Sequence, residues 1–98
     1  MSEIPFTRET GMSDISRIPH ETIASLERYV KYHIPTGGFL KAVLTNDLME
    51  AIHRADSFNL AALVDIVKYL YNDFPGNCWG SPEKYKEWTD RSLWPEND

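Results

Sequence analysis

Cysteine is almost missing from this chain: Cys78 stands alone among 98 residues, so no internal disulfide framework can form and stability has to come from burial. Histidine is scarce too. A zinc site would need His20, His33 and His53 to converge from separate segments, so neither a metal nor any other cofactor is expected. No stretch approaches the roughly 18 consecutive apolar residues of a membrane span. Met1 to Thr10 also lack the basic and then apolar order of a signal peptide, which makes a cytoplasmic protein the expectation. Clusters of basic residues are missing as well. The segments 1–36, 37–73 and 74–98 carry five acids and four bases, five and three, and five and three. A duplex nucleic acid requires clustered Lys and Arg, which these dispersed bases do not supply. Dense acidic stripes of the kind a nucleic-acid mimic needs are equally absent.

What remains is the arithmetic of one small domain. The chain is 42% apolar and 26% charged, with a formal net charge of −5. At this length a fold buries only roughly 60 to 65% of the surface its unfolded form exposes, enough for one core and not for two. There is no internal repeat, no heptad seam and no low-complexity segment.

Residues 1–18 show no sustained period and read as a flexible N-terminal arm, although Ile4, Phe6, Met12, Ile15 and Ile18 could dock on a partner or on the core. Residues 19–90 read as a helical domain and 91–98 as a polar tail. Helix one is expected over about 19–33, where Ile23, Leu26, Tyr29, Val30, His33 and Ile34 recur at intervals of three and four behind Pro19. Pro35 is expected to stop it. Thr36 then offers a hydroxyl to cap a second helix that starts with Gly37 and Gly38 and carries Leu40, Leu44, Leu48, Ala51, Ile52 and Ala55 on one face. Ser57 is placed to cap a third helix. Its apolar arc of Leu60, Leu63, Val64, Ile66, Val67, Leu70 and Tyr71 is too broad for a half-covered helix, so it is either central or meets another subunit in part. Ser81, Pro82 and Glu83 form the cap, first-turn proline and acid of a short fourth helix over about 82–90. The expected fold class is all-α: a small bundle of three main helices plus a short C-terminal one.

The glycines at the start of helix two are the most informative candidates for chemistry. Backbone amides of Thr36, Gly37 and Gly38 lie unshielded where the helix dipole favours an anion, unless the glycines only allow close packing. Lys41 falls on the apolar side of the wheel, one turn away, where it either meets the same anion or lays its stem over the core edge. Asn46 and Asp47 could accept ribose hydroxyls if they lined a cleft. Asn59 projects into an apolar arc as a satisfied buried amide or as a ligand-reading group. Trp79 beside Gly80 forms either a pocket wall or a seal on the core, and the amides at Ser81, Glu83 and Lys84 offer a second anion site. Glu50 and Arg54 have the i, i+4 spacing of a surface ion pair. Catalytic patterns are poor. Neither Ser nor Cys stands in a recognisable nucleophile setting, and Cys78 has no sequence-adjacent His or Lys to lower its pKa. No enzyme is expected.

The run Pro-Thr-Gly-Gly-Phe-Leu-Lys-Ala-Val-Leu-Thr-Asn-Asp-Leu from Pro35 to Leu48, then Arg54-Ala55-Asp56, the segment from Asp65 to Asn72 and Cys-Trp-Gly-Ser-Pro-Glu from Cys78 to Glu83 together resemble a family of short accessory proteins carried by bacteriophages and prophages. The resemblance covers a little over half the chain. It implies a viral protein at work in the host cytoplasm and a helical fold, but no reaction. Phage proteins of this size are often inhibitors of host defence, an association rather than a physical inference. On that footing the expected function is non-enzymatic. As a homo-oligomer, the chain would bind and sequester a phosphorylated, nucleotide-derived host signal through Thr36, Gly37, Gly38, Lys41, Asn46, Asp47, Asn59, Trp79 and Ser81. The alternative is an inhibitor or adaptor that uses its arm and aromatic surface to occupy a host defence protein directly.

Overall fold

A computed structural model describes residues 15–90 together with 92 and 93. Within them every regular element is helical: α1 His20–Tyr32, α2 Gly38–Leu44, α3 Leu48–Arg54, α4 Ser57–Ala61, α5 Leu63–Asp73 and α6 Pro82–Trp88, with a 3-10 turn at Gly76–Cys78. The all-α class is thus observed. The expected division into three long helices and a short one is not, because two of the long helices are broken. No described helix is long and apolar enough to cross a membrane.

Each break has a local cause. The helix expected over 37–55 ends at Leu44 because Asn46 takes the left-handed conformation (φ 66°), which a short amide side chain tolerates. Asp47 then starts α3 by accepting the Glu50 N–H at 3.2 Å. The helix expected from Ser57 onward is interrupted at Ala62 (φ −98°, ψ 7°). Its cap is Asp56 rather than Ser57, since the Asp56 carboxylate accepts the Asn59 N–H at 2.8 Å. Pro35 does not end α1. His33 does so, in the left-handed region (φ 59°), with the Ile34 N–H reaching back to the Arg28 carbonyl at 3.5 Å. Nor does Thr36 cap α2: the N-cap position is Gly37, without a side-chain hydrogen bond. The start of α6 is as expected, with Ser81 Oγ accepting the Lys84 N–H at 3.1 Å and Pro82 in the first turn.

The core is organised around Tyr29. Its ring has no exposed surface and stacks on Tyr85 at 5.4 Å and against Trp88 at 6.4 Å. Its hydroxyl donates to the Cys78 carbonyl at 2.5 Å, and its own carbonyl accepts the Trp88 indole N–H at 2.8 Å. His33 completes the clasp: its ring lies 4.3 Å from that of Trp88, and its Nδ1 donates to the Trp88 carbonyl at 2.8 Å. α1 and α6, some 50 residues apart in sequence, are thereby tied through groups that could not be left buried and unpaired at a cost below about 1 to 3 kcal/mol each. Leu26, Leu44, Ile66 and Leu70 fill the space between the helices and are fully buried.

Two other features fix the loops. Ile18 is buried and its N–H donates to the Ile15 carbonyl at 3.1 Å. Ile18, the last residue of the expected arm, thus packs into the core; residues 1–14 of that arm lie outside the described residues, as do 91 and 94–98 of the tail. Gly80 sits at φ +114° while its N–H donates to the Leu44 carbonyl at 2.7 Å, strapping the α6 approach to the end of α2.

Tyr29→Phe, which leaves the Cys78 carbonyl without its donor, is expected to lower unfolding stability by about 1 to 3 kcal/mol in urea titration. Gly80→Ala, which forces a Cβ into the right half of the Ramachandran map, is expected to cost about 1 to 2 kcal/mol in the same assay.

Candidate functional site

Three of the nine sequence-derived residues share one pocket. Gly38, Lys41 and Asp47 line a depression of about 360 Å³ together with Thr45, Glu50 and Arg54, within the size range of small-ligand sites. α2 supplies Gly38 and Lys41, α3 supplies Glu50 and Arg54, and the corner at Asn46 folds the two helices against each other.

Gly38 has a packing role in this arrangement. A Cβ there would come within 2.9 Å of Arg54 Nη1 and 3.2 Å of its Cδ, so the missing side chain lets the guanidinium lie over the start of α2. Gly37 meets nothing within 4 Å and adopts extended backbone. Arg54 Nε donates to Glu50 Oε2, the i, i+4 pair expected from the spacing; both side chains are exposed, and such a pair contributes at most a few tenths of a kcal/mol. Asp47 uses its carboxylate to cap α3, and Thr45 Oγ1 donates to the Lys41 carbonyl at 2.8 Å. Lys41 differs from its neighbours. Its ammonium lies 5.7 Å from the centre of the Tyr85 ring, a cation–π contact, and has no ion-pair partner among the described residues. Thr36 belongs to the same neighbourhood, since its N–H donates to the Tyr85 hydroxyl at 3.0 Å. The aromatic group beside Lys41 is therefore Tyr85 and not Trp79.

The other candidates are spent on structure or placed elsewhere. Asn46 is an exposed corner residue. Asn59 accepts from Thr22 Oγ1 at 2.7 Å and donates to Asp56 Oδ1 at 3.2 Å, which makes it a satisfied amide joining α1 to α4. It borders a wider, open cleft of about 750 Å³ between residues 16–22 and 56–61. Ser81 is occupied as the α6 cap. Trp79 is half-buried against the core, and its indole nitrogen is enclosed without a hydrogen-bond partner among the described residues. Arg54, Thr45 and Tyr85 were not among the residues singled out for binding. Arg54 has a readable signal in its i, i+4 spacing from Glu50; Tyr85 has none, because its position depends on the α1–α6 clasp.

Cys78 is fully buried, its Sγ lying 3.2 Å from the Pro75 carbonyl, and burial pushes the thiol up to about 11. A nucleophilic role would need the opposite shift. Among the described residues no group of three or more His, Cys, Asp or Glu side chains is disposed to hold a metal ion. Comparison of the chain with protein families, with curated proteins and with solved structures finds no match.

The raised thiol pKa fixes a pH dependence. The folded state holds the proton more tightly than the unfolded state, whose thiol titrates near the ordinary value of 9.0. This contribution to stability is complete below that value and is lost as pH rises through about 11. Thermal unfolding is expected to show a falling midpoint between these limits, with a shallower fall in Cys78→Ala, and the native thiol is expected to resist alkylation at pH 8 until the protein is unfolded.

Proposed function

We propose that this chain is a phage-encoded, non-enzymatic anti-defence protein that holds a phosphorylated, nucleotide-derived signal in the host cytoplasm, and that it does so as a homo-oligomer. The observation that supports this reading is the pocket of Gly38, Lys41, Thr45, Asp47 and Arg54, in which an ammonium without an ion-pair partner and a guanidinium from the next helix face the same space. Asp47 and Glu50 also line it, but the first is engaged by the α3 backbone and the second by Arg54, which leaves Lys41 as the cation available to an incoming anion. A phosphate bridging Lys41 and Arg54 would exchange a weak surface pair for charge-assisted hydrogen bonds on two cations. A depression of about 360 Å³ takes a phosphate and part of a nucleoside, so the remainder of the ligand would extend over the surface or onto a second copy. Holding rather than converting the ligand fits a pocket in which no activated nucleophile is found among the described residues.

The test is native mass spectrometry of the full chain purified from defence-activated cells, followed by calorimetric titration with mononucleotides and cyclic dinucleotides. The expected result is a retained phosphorylated molecule released by heat at its original mass. Lys41→Glu, an exposed change that leaves the circular dichroism unaltered, is expected to weaken binding by about 10- to 150-fold, corresponding to one charge-assisted hydrogen bond. A released molecule of altered mass would replace sequestration with an enzymatic reading. A copurifying host protein without a small molecule would replace it with direct inhibition of a defence protein.

A further inference from the structure

Gly38 borders two depressions. On one side lies the Lys41 pocket, and on the other a hollow of about 240 Å³ between α1 and the start of α2, lined by Glu21, Ser25, Gly37, Gly38, Phe39 and Leu40. Glu21 and Ser25 stand one turn apart on the same face of α1, and neither side chain has a hydrogen-bond or ion-pair partner among the described residues. Thr22 also reaches the hollow, but its hydroxyl is spent on Asn59. Leu40 is buried and Phe39 packs on the core, so the floor is apolar. Gly37 leaves the hollow uncovered. Its backbone is ordinary extended chain (φ −71°, ψ −179°), which any residue adopts, and a Cβ there would stand in open space. Packing against Arg54 accounts for the glycine at 38; neither conformation nor packing accounts for the one at 37.

The two depressions differ in what they leave unpaired. The first offers the ammonium of Lys41, the second the carboxylate of Glu21 and the hydroxyl of Ser25. A ligand that satisfies both carries an anionic group at one end and hydrogen-bond donors at the other. Lys41 follows Gly38 by three residues, about 5 Å along the helix, the order of length that a ribose sets between its phosphate and its base. Together the depressions lie well within the range of small-ligand sites, roughly 300 to 1,000 Å³. We propose that the hollow beside Glu21 is the second half of the site and holds the nucleoside end of the ligand. The phosphate sits at Lys41 and Arg54, the ribose crosses Gly37 and Gly38, and the base lies on Phe39 and Leu40 with an N–H edge turned to Glu21. The class of ligand this selects is a guanine nucleotide. The N1–H and amino group of guanine form a parallel pair that matches a carboxylate, whereas adenine sets an acceptor beside its amine. The inference rests on the reading of the Lys41 pocket given above and places the part of the ligand that this pocket does not hold.

Calorimetric titration of the full chain with inorganic phosphate, ribose 5-phosphate, AMP and GMP separates the two halves. GMP is expected to bind at least about 10-fold more tightly than inorganic phosphate, and ahead of AMP and ribose 5-phosphate. Gly37→Leu, which fills the open space over the hollow, is expected to bring GMP down to the affinity of inorganic phosphate, with circular dichroism and melting midpoint as in the wild type. Glu21→Ala, at an exposed position, tests the same hollow without touching the backbone and is expected to remove the preference for GMP over AMP. In two-dimensional NMR spectra GMP is expected to move the amides of Ser25 and Phe39, which inorganic phosphate leaves in place. GMP that binds no more tightly than inorganic phosphate, or a preference for GMP that survives both variants, would overturn the proposal; phosphate binding weakened by Lys41→Glu in the same series would then keep the Lys41 pocket. GMP binding that Lys41→Glu leaves unaltered would overturn the reading on which this one rests, and binding of none of the four probes would overturn both.

Discussion

The structure depends on the burial of Tyr29. A phenol without exposed surface has to place both its ring and its hydroxyl, and here one side chain does this for two distant segments: the ring between Tyr85 and Trp88 and the hydroxyl on the Cys78 carbonyl. Burial raises its pKa well above the ordinary phenol value, with the nearby Cys78 and Tyr85 adding to the shift, so the hydroxyl remains a donor. The Trp88 indole reciprocates on the Tyr29 carbonyl. In a chain without disulfides, these paired polar groups give the α1–α6 contact a defined register that apolar packing alone would leave loose. The Thr36 bond to Tyr85 and the approach of Lys41 to the same ring follow from it, so the candidate pocket takes its position from the clasp.

Away from the clasp the packing changes character. α3 contributes a single buried residue, Ala51, and α4 none, while Leu48, Met49 and Phe58 are left largely exposed. Short helices of five and seven residues are not stable by themselves. Here they are held by caps, Asp47 on α3 and Asp56 on α4, and by the docking of Ala51, Ala62, Ile66 and Leu70. One end of the molecule is thus a well-packed aromatic unit, and the other presents apolar surface outward.

How much of this was legible in the sequence varied with the range of the interaction. Helix content followed from three- and four-residue periodicity, and the α6 start from Ser81, Pro82 and Glu83. The break at residues 45–47 was missed because Leu44, Leu48, Ala51 and Ile52 keep the apolar period running straight through it, while the stop signal is carried by polar residues that compete for the backbone, Thr45, Asn46 and Asp47. The same applies to Asp56, which displaced Ser57 as a cap. Of the candidate site, Gly38, Lys41 and Asp47 were recognisable because their partners lie within one helical hairpin. Trp79 was chosen as the aromatic neighbour where Tyr85 occupies the place, since the choice between them rests on contacts across about 50 residues that no local pattern encodes.

Hydrogen exchange of the Trp88 indole N–H, followed by NMR on the full chain, tests most directly the claim that the aromatic clasp holds the fold. If the clasp is the last structure to open, this proton exchanges only through global unfolding, with the same free energy and denaturant dependence as the amides of Leu26 and Leu70, while the amides of α3 and α4 exchange through smaller local openings. An indole proton that exchanges as fast as those of α3, with no denaturant dependence, would contradict the account.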